Sequence, residues 1–169
     1  MQELLKALEH DSLVEIKKLL KSGKYDLNSE VEIGTEYDLD EYDEIPLIFW
    51  AIQNGVSREA IELLIENDAN LEQTTREGVG SLDYAIKYRR MDIVELCKEK
   101  GIDLTISKRK SGLTPLMLAA SFNDINMMKY LLSLGANPKA KDNSGMDALD
   151  YAAKLGQKSA VEFLEKLDS

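Results

Sequence analysis

The sequence predicts an all-α fold, a solenoid of about five stacked helix–turn–helix repeats. The clearest copy lies between residues 110 and 137, where two short helices each carry one apolar stripe at helical spacing. The stripes consist of Leu116, Ala119 and Ala120, and of Met127, Met128, Leu131 and Leu132. Neither helix can bury its stripe alone, so the unit needs neighbours of its own kind on which to stack.

This unit recurs with a period of about 33 residues. Each copy has a glycine, a leucine and an alanine at matching positions: Gly78, Leu82 and Ala85; Gly112, Leu116 and Ala119; Gly145, Leu149 and Ala152. A similar stop signal ends each second helix: Asp68-Ala69-Asn70, Gly101-Ile102-Asp103 and Gly135-Ala136-Asn137. The matches place repeats at about 1–28, 45–72, 78–105, 111–139 and 143–167, within one domain of residues 1–169.

The chain resembles the ankyrin repeats, in which Thr-Pro-Leu opens the first helix. The resemblance implies an ankyrin-repeat solenoid whose loops between repeats project as fingers from the edge of the stack. The residue types of repeat four agree with this resemblance, because Pro115 suits the first turn of a helix and the Thr114 hydroxyl can cap that helix. The chain departs from the family at Met117, where a histidine usually ties the turn, so we expect the turns to depend on other bonds. Ile48, Asp83 and Asp150 take that place in the other copies. The residues that match the family are Gly112, Thr114, Pro115, Leu116, Ala119, Ala120, Leu131, Leu132, Gly135 and Ala136.

Charge and cysteine content restrict the partners and the compartment. The formal net charge is −10 and the isoelectric point is near 4.7, which argues against nucleic acid and anionic membranes as partners. The single cysteine, Cys97, aligns with core Leu131 and suits a reducing compartment. No secretory signal is visible and the longest apolar run, residues 45–52, is too short to span a bilayer. We therefore expect a soluble, cytoplasmic monomer.

The sequence predicts that the first and the last repeat cap the two ends of the stack. The outward face of repeat one is rich in glutamate and lysine, as a solvent-exposed terminal repeat requires. Repeat five is the expected closing cap, with Asp147 capping its first helix and charged residues on its far side.

An acidic insert, residues 29–44, interrupts the pattern between repeats one and two. No lysine or arginine occurs between Lys24 and Arg58, and Val31 and Ile33 predict a short strand with a turn at Gly34. A solvated loop is the plain interpretation, and a calcium site is a weaker one because the closing glutamate of an EF-hand is missing. Tyrosines among carboxylates favour a surface for a basic partner protein, and the predicted contacts are Glu36, Tyr37, Asp38, Asp40, Glu41, Tyr42 and Asp43.

Trp50 is the large side chain of repeat two. The repeat alignment places it where other copies have Ala85, Ala119 and Ala152, and places two extra residues between the helices of this repeat. The core is the better prediction for the ring, and the alternative is an exposed anchor for a partner.

A basic run follows repeat three. Lys108, Arg109 and Lys110 fall at a predicted finger tip, so we count them as further partner contacts. A solvated tip is the alternative interpretation.

No catalytic, metal-binding or coenzyme pattern is present, and we predict a non-enzymatic module that binds, inhibits, escorts or scaffolds one protein partner, as the ankyrin resemblance implies. One alternative is a haem escort for a metabolic enzyme such as catalase, with His10, Met117 or Cys97 as ligands. Another is head-to-tail self-association between the acidic insert and the basic part of repeat three.

Overall fold

The structure is a computed structural model that describes residues 1–32 and 44–167. Helices account for most of this part of the chain, as predicted, and a two-stranded sheet accounts for the rest of the regular structure. The chain forms two compact units, Met1–Gln73 and Thr74–Ser169, with repeats one and two in the first and repeats three to five in the second. None of the described helices is long and apolar enough to span a membrane.

Each repeat contributes two antiparallel helices that pack on each other. In the first unit α2 also packs on α4, and in the second unit α7 packs on both α5 and α9. The helices are α1 Gln2–Glu9, α2 Leu13–Leu20, α3 Leu47–Gln53, α4 Arg58–Glu66, α5 Ser81–Lys87, α6 Met91–Glu99, α7 Pro115–Ser121, α8 Ile125–Ser133, α9 Ala148–Lys154 and α10 Lys158–Leu167.

The same type of backbone hydrogen bond occurs in all five repeats and shows how their residues align. After each first helix, a turn amide donates to the carbonyl of an alanine, at 2.8 to 3.1 Å. All five alanines are at most 2% exposed, because only a small side chain leaves room for the close approach of neighbouring helices. The donor–acceptor pairs are Ser12–Ala7, Val56–Ala51, Arg90–Ala85, Asp124–Ala119 and Gln157–Ala152.

This register corrects the alignment of repeat two. Ala51, and not Trp50, occupies the small position, and Trp50 is equivalent to Leu118 of repeat four. Trp50 is 6% exposed, so the prediction that it belongs to the core is confirmed and the exposed anchor is wrong. The turn between the helices spans residues 54–57, against 122–124 in repeat four, so it is longer by one residue instead of two. With this shift Phe49, and not Ile48, matches Met117.

Carboxylates replace the missing histidine at two helix starts. Asp83 accepts a hydrogen bond from the Gly80 backbone N–H at 2.8 Å, and Asp150 accepts one from the Asp147 N–H at 2.9 Å. In repeat four the Met117 Sδ accepts the equivalent bond from the Thr114 N–H at 3.3 Å, and the Thr114 hydroxyl accepts from the Met117 N–H at 3.2 Å. These caps satisfy N–H groups that a helix start leaves without intrahelical partners.

The acidic insert is held at its base by a β-hairpin. Strand β1, Glu30–Glu32, pairs antiparallel with β2, Glu44–Pro46, so that Val31 lies opposite Ile45. Both of these side chains are buried, at 4% and 3% exposure, which fixes the two strands against the core of the first unit. Val31 lies in a strand as predicted, whereas Ile33 and Gly34 lie outside the described residues.

Three tight turns of the second unit, which we call fingers, precede α5, α7 and α9. They span residues 75–78, 109–112 and 142–145, and each ends at a glycine with positive φ. Adjacent fingers are joined by backbone hydrogen bonds, from the Lys110 N–H to the Glu77 carbonyl at 3.0 Å and from the Asn143 N–H to the Ser111 carbonyl at 2.9 Å. The fingers of this unit therefore form a continuous ladder.

Candidate functional site

The described part of the acidic insert presents carboxylates to solvent. Glu30, Glu32 and Glu44 are exposed, and the hairpin register sets Glu32 directly opposite Glu44. Like charges at facing positions of an antiparallel pair repel each other and destabilise it. The burial of Val31 and Ile45 offsets this repulsion, so the hairpin holds a negatively charged surface in a defined place.

The predicted contact residues of the insert lie beyond these strands. Residues 33–43 are outside the part of the chain that the structure describes, and their role stays a prediction. The residues concerned are Glu36, Tyr37, Asp38, Asp40, Glu41, Tyr42 and Asp43.

Negative charge is concentrated in the first unit. Residues 1–73 contain 18 acidic and 6 basic side chains, a formal charge of −12, whereas residues 74–169 contain 13 acidic and 15 basic side chains, a formal charge of +2. The net charge of the protein therefore arises from the unit that carries the insert. A local field of one sign accelerates association with a partner of the opposite sign.

The basic run of repeat three splits into two kinds of residue. Lys108 and Lys110 are exposed, and the Lys110 Nζ lies 4.0 Å from a Glu77 carboxylate oxygen. Arg109 instead donates from Nε to Asp83 at 2.7 Å, and its side chain is only 22% exposed. Arg109 thus ties its finger to α5, which leaves the two lysines as the accessible charges of this run. Sequence reasoning missed the pair because its members are 26 residues apart.

The structure also shows an aromatic pair that sequence reasoning did not single out. The rings of Tyr84 and Tyr88 on α5 stack with centroids 6.2 Å apart, and Lys87 Nζ lies 5.3 Å from the Tyr88 centroid. Both tyrosines are partly exposed. Their i, i+4 spacing on a predicted helix is the signal that would have found them.

Two of the three proposed haem ligands are buried. Cys97 is 0% exposed and Met117 is 1% exposed, and burial raises the pKa of the Cys97 thiol to about 12. The Cys97 thiol is therefore protonated at neutral pH and behaves as a core side chain, as its alignment with Leu131 predicted. His10 is exposed, and its Nδ1 lies 2.7 Å from the Lys6 carbonyl. Among the described residues no group of three or more histidine, cysteine or carboxylate side chains is arranged to hold a metal.

Comparison with known proteins agrees with this repeat architecture. A family model of ankyrin repeats in three copies matches residues 4–108 and again 105–168. The chain belongs to the ankyrin-repeat family. Ankyrin repeats are protein–protein interaction modules, and the helix–turn–helix units described above are their structural unit.

Several ankyrin-repeat relatives share part of their length with this chain. It is 34% identical over 104 residues to an ankyrin repeat protein of Acanthamoeba polyphaga mimivirus, covering 62% of the chain and 14% of that protein. It is 31% identical over 135 residues to one of fowlpox virus, covering 80% and 28%. It is 37% identical over 87 residues to the mouse B-cell lymphoma 3 protein homolog, covering 52% and 19%. The chain thus spans less than a third of these relatives.

Proposed function

We propose that this chain is a non-catalytic module that captures one protein partner with a basic surface, and that the acidic insert is the contact. Capture of this kind inhibits, escorts or scaffolds the partner. We further propose that the protein is a monomer, that it works in the reducing environment of the cytoplasm, and that it binds neither nucleic acid nor membranes.

The observation that carries this proposal is the charge difference between the two units. The formal charge of residues 1–73 is −12, and the hairpin that holds the insert exposes Glu30, Glu32 and Glu44. Its strands are fixed by Val31 and Ile45, so the carboxylates are presented from a rigid base. A preorganised base lowers the entropic cost of binding, and complementary charge speeds the encounter and selects the partner.

The test is affinity capture from the source cytoplasm with wild type and with an insert variant. In the variant, residues 33–43 are replaced by a short Gly-Ser loop, which leaves both described strands intact. We expect one basic partner to bind wild type and to be lost with the variant, while the melting temperature stays unchanged. Capture by both proteins would place the contact elsewhere, for example at Lys108 and Lys110.

Charge reversal separates the local contact from the general field. We expect the triple change Asp40→Lys, Glu41→Lys and Asp43→Lys to abolish capture. The control, Glu9→Lys, Glu15→Lys and Glu95→Lys, alters the net charge by the same amount at exposed helix positions. If the control abolished capture equally, attraction by the whole protein, and not the insert, would be the mechanism.

A haem escort is the alternative function. Of its three candidate ligands only His10 is accessible without opening the core. Haem titration should then produce a Soret band that is lost in His10→Ala. A titration without a Soret band at micromolar haem excludes this alternative.

A further inference from the structure

The turns between the first and second helices of the second unit carry an excess of positive charge. With their flanking residues these three turns span 87–92, 121–125 and 154–158, and we call them the turn edge. They contain five lysine or arginine and two acidic side chains, a formal charge of +3. The equivalent turns of the first unit, 9–13 and 53–58, contain one arginine and two acidic side chains, a formal charge of −1.

Side-chain hydrogen bonds join these turns from one repeat to the next. Arg89 Nη2 of repeat three donates to the Phe122 carbonyl of repeat four at 2.6 Å, and Gln157 Nε2 of repeat five donates to the Ser121 carbonyl at 2.7 Å. The three turns are therefore held side by side, and the turn edge is one surface of the second unit.

Arg89 takes a position that suits other residue types. The residue before the turn amide that donates to the small alanine has a positive φ in every repeat, and in the other four it is Asp11, Gly55, Asn123 and Gly156. Glycine, asparagine and aspartate adopt this left-handed conformation readily, whereas an arginine with φ of 56° is strained. Strain of this kind is typical of ligand sites, where the side chain is needed in spite of its backbone.

The guanidinium of Arg89 is held in place and is still accessible. Besides the bond to the Phe122 carbonyl, Nη1 lies 3.5 Å from a carboxylate oxygen of Asp124, and the Arg89 side chain is 57% exposed. The distance to Asp124 exceeds that of a charge-assisted hydrogen bond, so this carboxylate only partly matches the charge of Arg89. A guanidinium has five N–H donors in a planar fork, which leaves donors of Arg89 for a second carboxylate.

Aromatic residues adjoin this guanidinium. Tyr88 precedes Arg89 and stacks on Tyr84, and Lys87 Nζ lies 5.3 Å from the Tyr88 centroid. Tyr88 and Phe122 are partly exposed, although repeat four or repeat five follows each of them in the stack. The turn edge thus combines a fixed cation with apolar surface that the neighbouring repeats do not cover.

We propose that the turn edge binds an acidic peptide segment of a partner protein. A carboxylate of this segment binds the guanidinium of Arg89, and an apolar side chain beside it packs on Tyr88 and Phe122. Charge complementarity supports this occupant, because the turn edge has a formal charge of +3 and exposes Lys87 and Lys154. The turn edge shares no residue with the acidic insert and takes a partner segment of the opposite charge, so the inference is independent of the function proposed above.

The test is an NMR titration of the isotope-labelled protein with a short synthetic peptide. The peptide is acetylated and amidated, with one phenylalanine between glutamates, and its matched control has glutamine in place of glutamate. We expect the acidic peptide at about 1 mM to shift the backbone amide resonances of Tyr88, Arg89 and Phe122, and the glutamine peptide to leave them unchanged. Added salt should weaken the binding.

The variant Arg89→Gly separates binding from folding. Glycine removes the guanidinium and suits a φ of 56°, so the relief of strain offsets the lost bond to Phe122 and the melting temperature should stay near that of wild type. The affinity for the acidic peptide should fall at least about tenfold. The control Lys100→Ala removes the same charge at the other end of α6 and should leave the affinity unchanged.

Four outcomes overturn the inference. An acidic peptide that shifts no resonance of the turn edge excludes the site, and equal binding of the glutamine peptide excludes recognition of a carboxylate. Tighter binding of a short DNA oligonucleotide would make nucleic acid the occupant. An Arg89→Gly variant that binds like wild type, or that melts far below it, would make Arg89 a structural tie between repeats three and four.

Discussion

Gly78 lies against the backbone of Lys108, and a Cβ at Gly78 would overlap the Lys108 carbonyl oxygen. Gly145 has nearly the same φ, 76° against 81°, but nothing within 4 Å of its ideal Cβ. The two glycines therefore separate the cost of the left-handed backbone from the cost of close approach between fingers.

We expect Gly145→Ala to cost about 1 kcal/mol, because the left-handed conformation alone opposes it. Gly78→Ala should cost at least about 2 kcal/mol more, since the finger of residues 109–112 must move away. Urea denaturation followed by circular dichroism measures both. Equal losses of stability for the two variants would show that the finger of residues 109–112 can move without a cost in free energy.

The small position of repeat two gives a second prediction. Ala51 is 0% exposed beneath its neighbours, so Ala51→Leu should destabilise the protein by about 2 to 3 kcal/mol through overpacking. Ala153 is exposed on α9, and the matched change Ala153→Leu should alter the stability by less than about 0.5 kcal/mol. Thermal melts of both variants check the register. A tolerated leucine at residue 51 would contradict it.

The pair of Arg109 and Asp83 gives a third prediction. Both side chains are mostly buried, at 22% and 18% exposure, and Asp83 also accepts from the Gly80 N–H. Arg109→Ala should therefore lower the stability by about 1 kcal/mol, whereas Lys17→Ala, at an exposed position of α2, should leave it unchanged. Thermal melts of the two variants and of wild type measure the difference in stability. Should Arg109→Ala melt like wild type, Arg109 would regain its place among the partner contacts.

The hydrogen bond from Tyr151 Oη to Asp142, at 2.6 Å, gives a prediction about pH. This bond is the main cause that lowers the pKa of Asp142 below its usual value near 3.8, and it is also the main cause that raises the pKa of Tyr151 above 10.0. Because the pKa of Asp142 is lowered, the bond stabilises the fold above about pH 4, and this stabilisation is lost in acid. Because the pKa of Tyr151 is raised, the bond also stabilises the fold below about pH 10, and that stabilisation is lost in base.

Tyr151→Phe should therefore lower the melting temperature by a few degrees at neutral pH and by much less near pH 3. Melting curves of wild type and variant between pH 3 and pH 8 measure the difference. A difference that persists unchanged at pH 3 would assign the effect to packing of the ring and not to the hydrogen bond.

The prediction of repeat two from its sequence failed at a specific place. Pro46-Leu47 looks like Pro115-Leu116, and that likeness shifted the alignment by one residue and set Trp50 in the small position. Local signals could not correct it, because a tryptophan beside an alanine is compatible with either register of an apolar helix. The choice between Trp50 and Ala51 is made by the neighbouring helices, which leave space for a methyl group only.

The sequence by itself determined the fold class, the number of repeats and the charged outward face of repeat one, because the period, the caps and the charge pattern are local features that each segment carries alone. Only the tertiary structure decided that Arg109 ties its finger to Asp83, that the neighbouring finger covers Gly78 and Gly112, and that Ala51, and not Trp50, takes the small position of repeat two. These properties depend on contacts between residues about 30 positions apart, and such contacts exist only once neighbouring repeats are stacked.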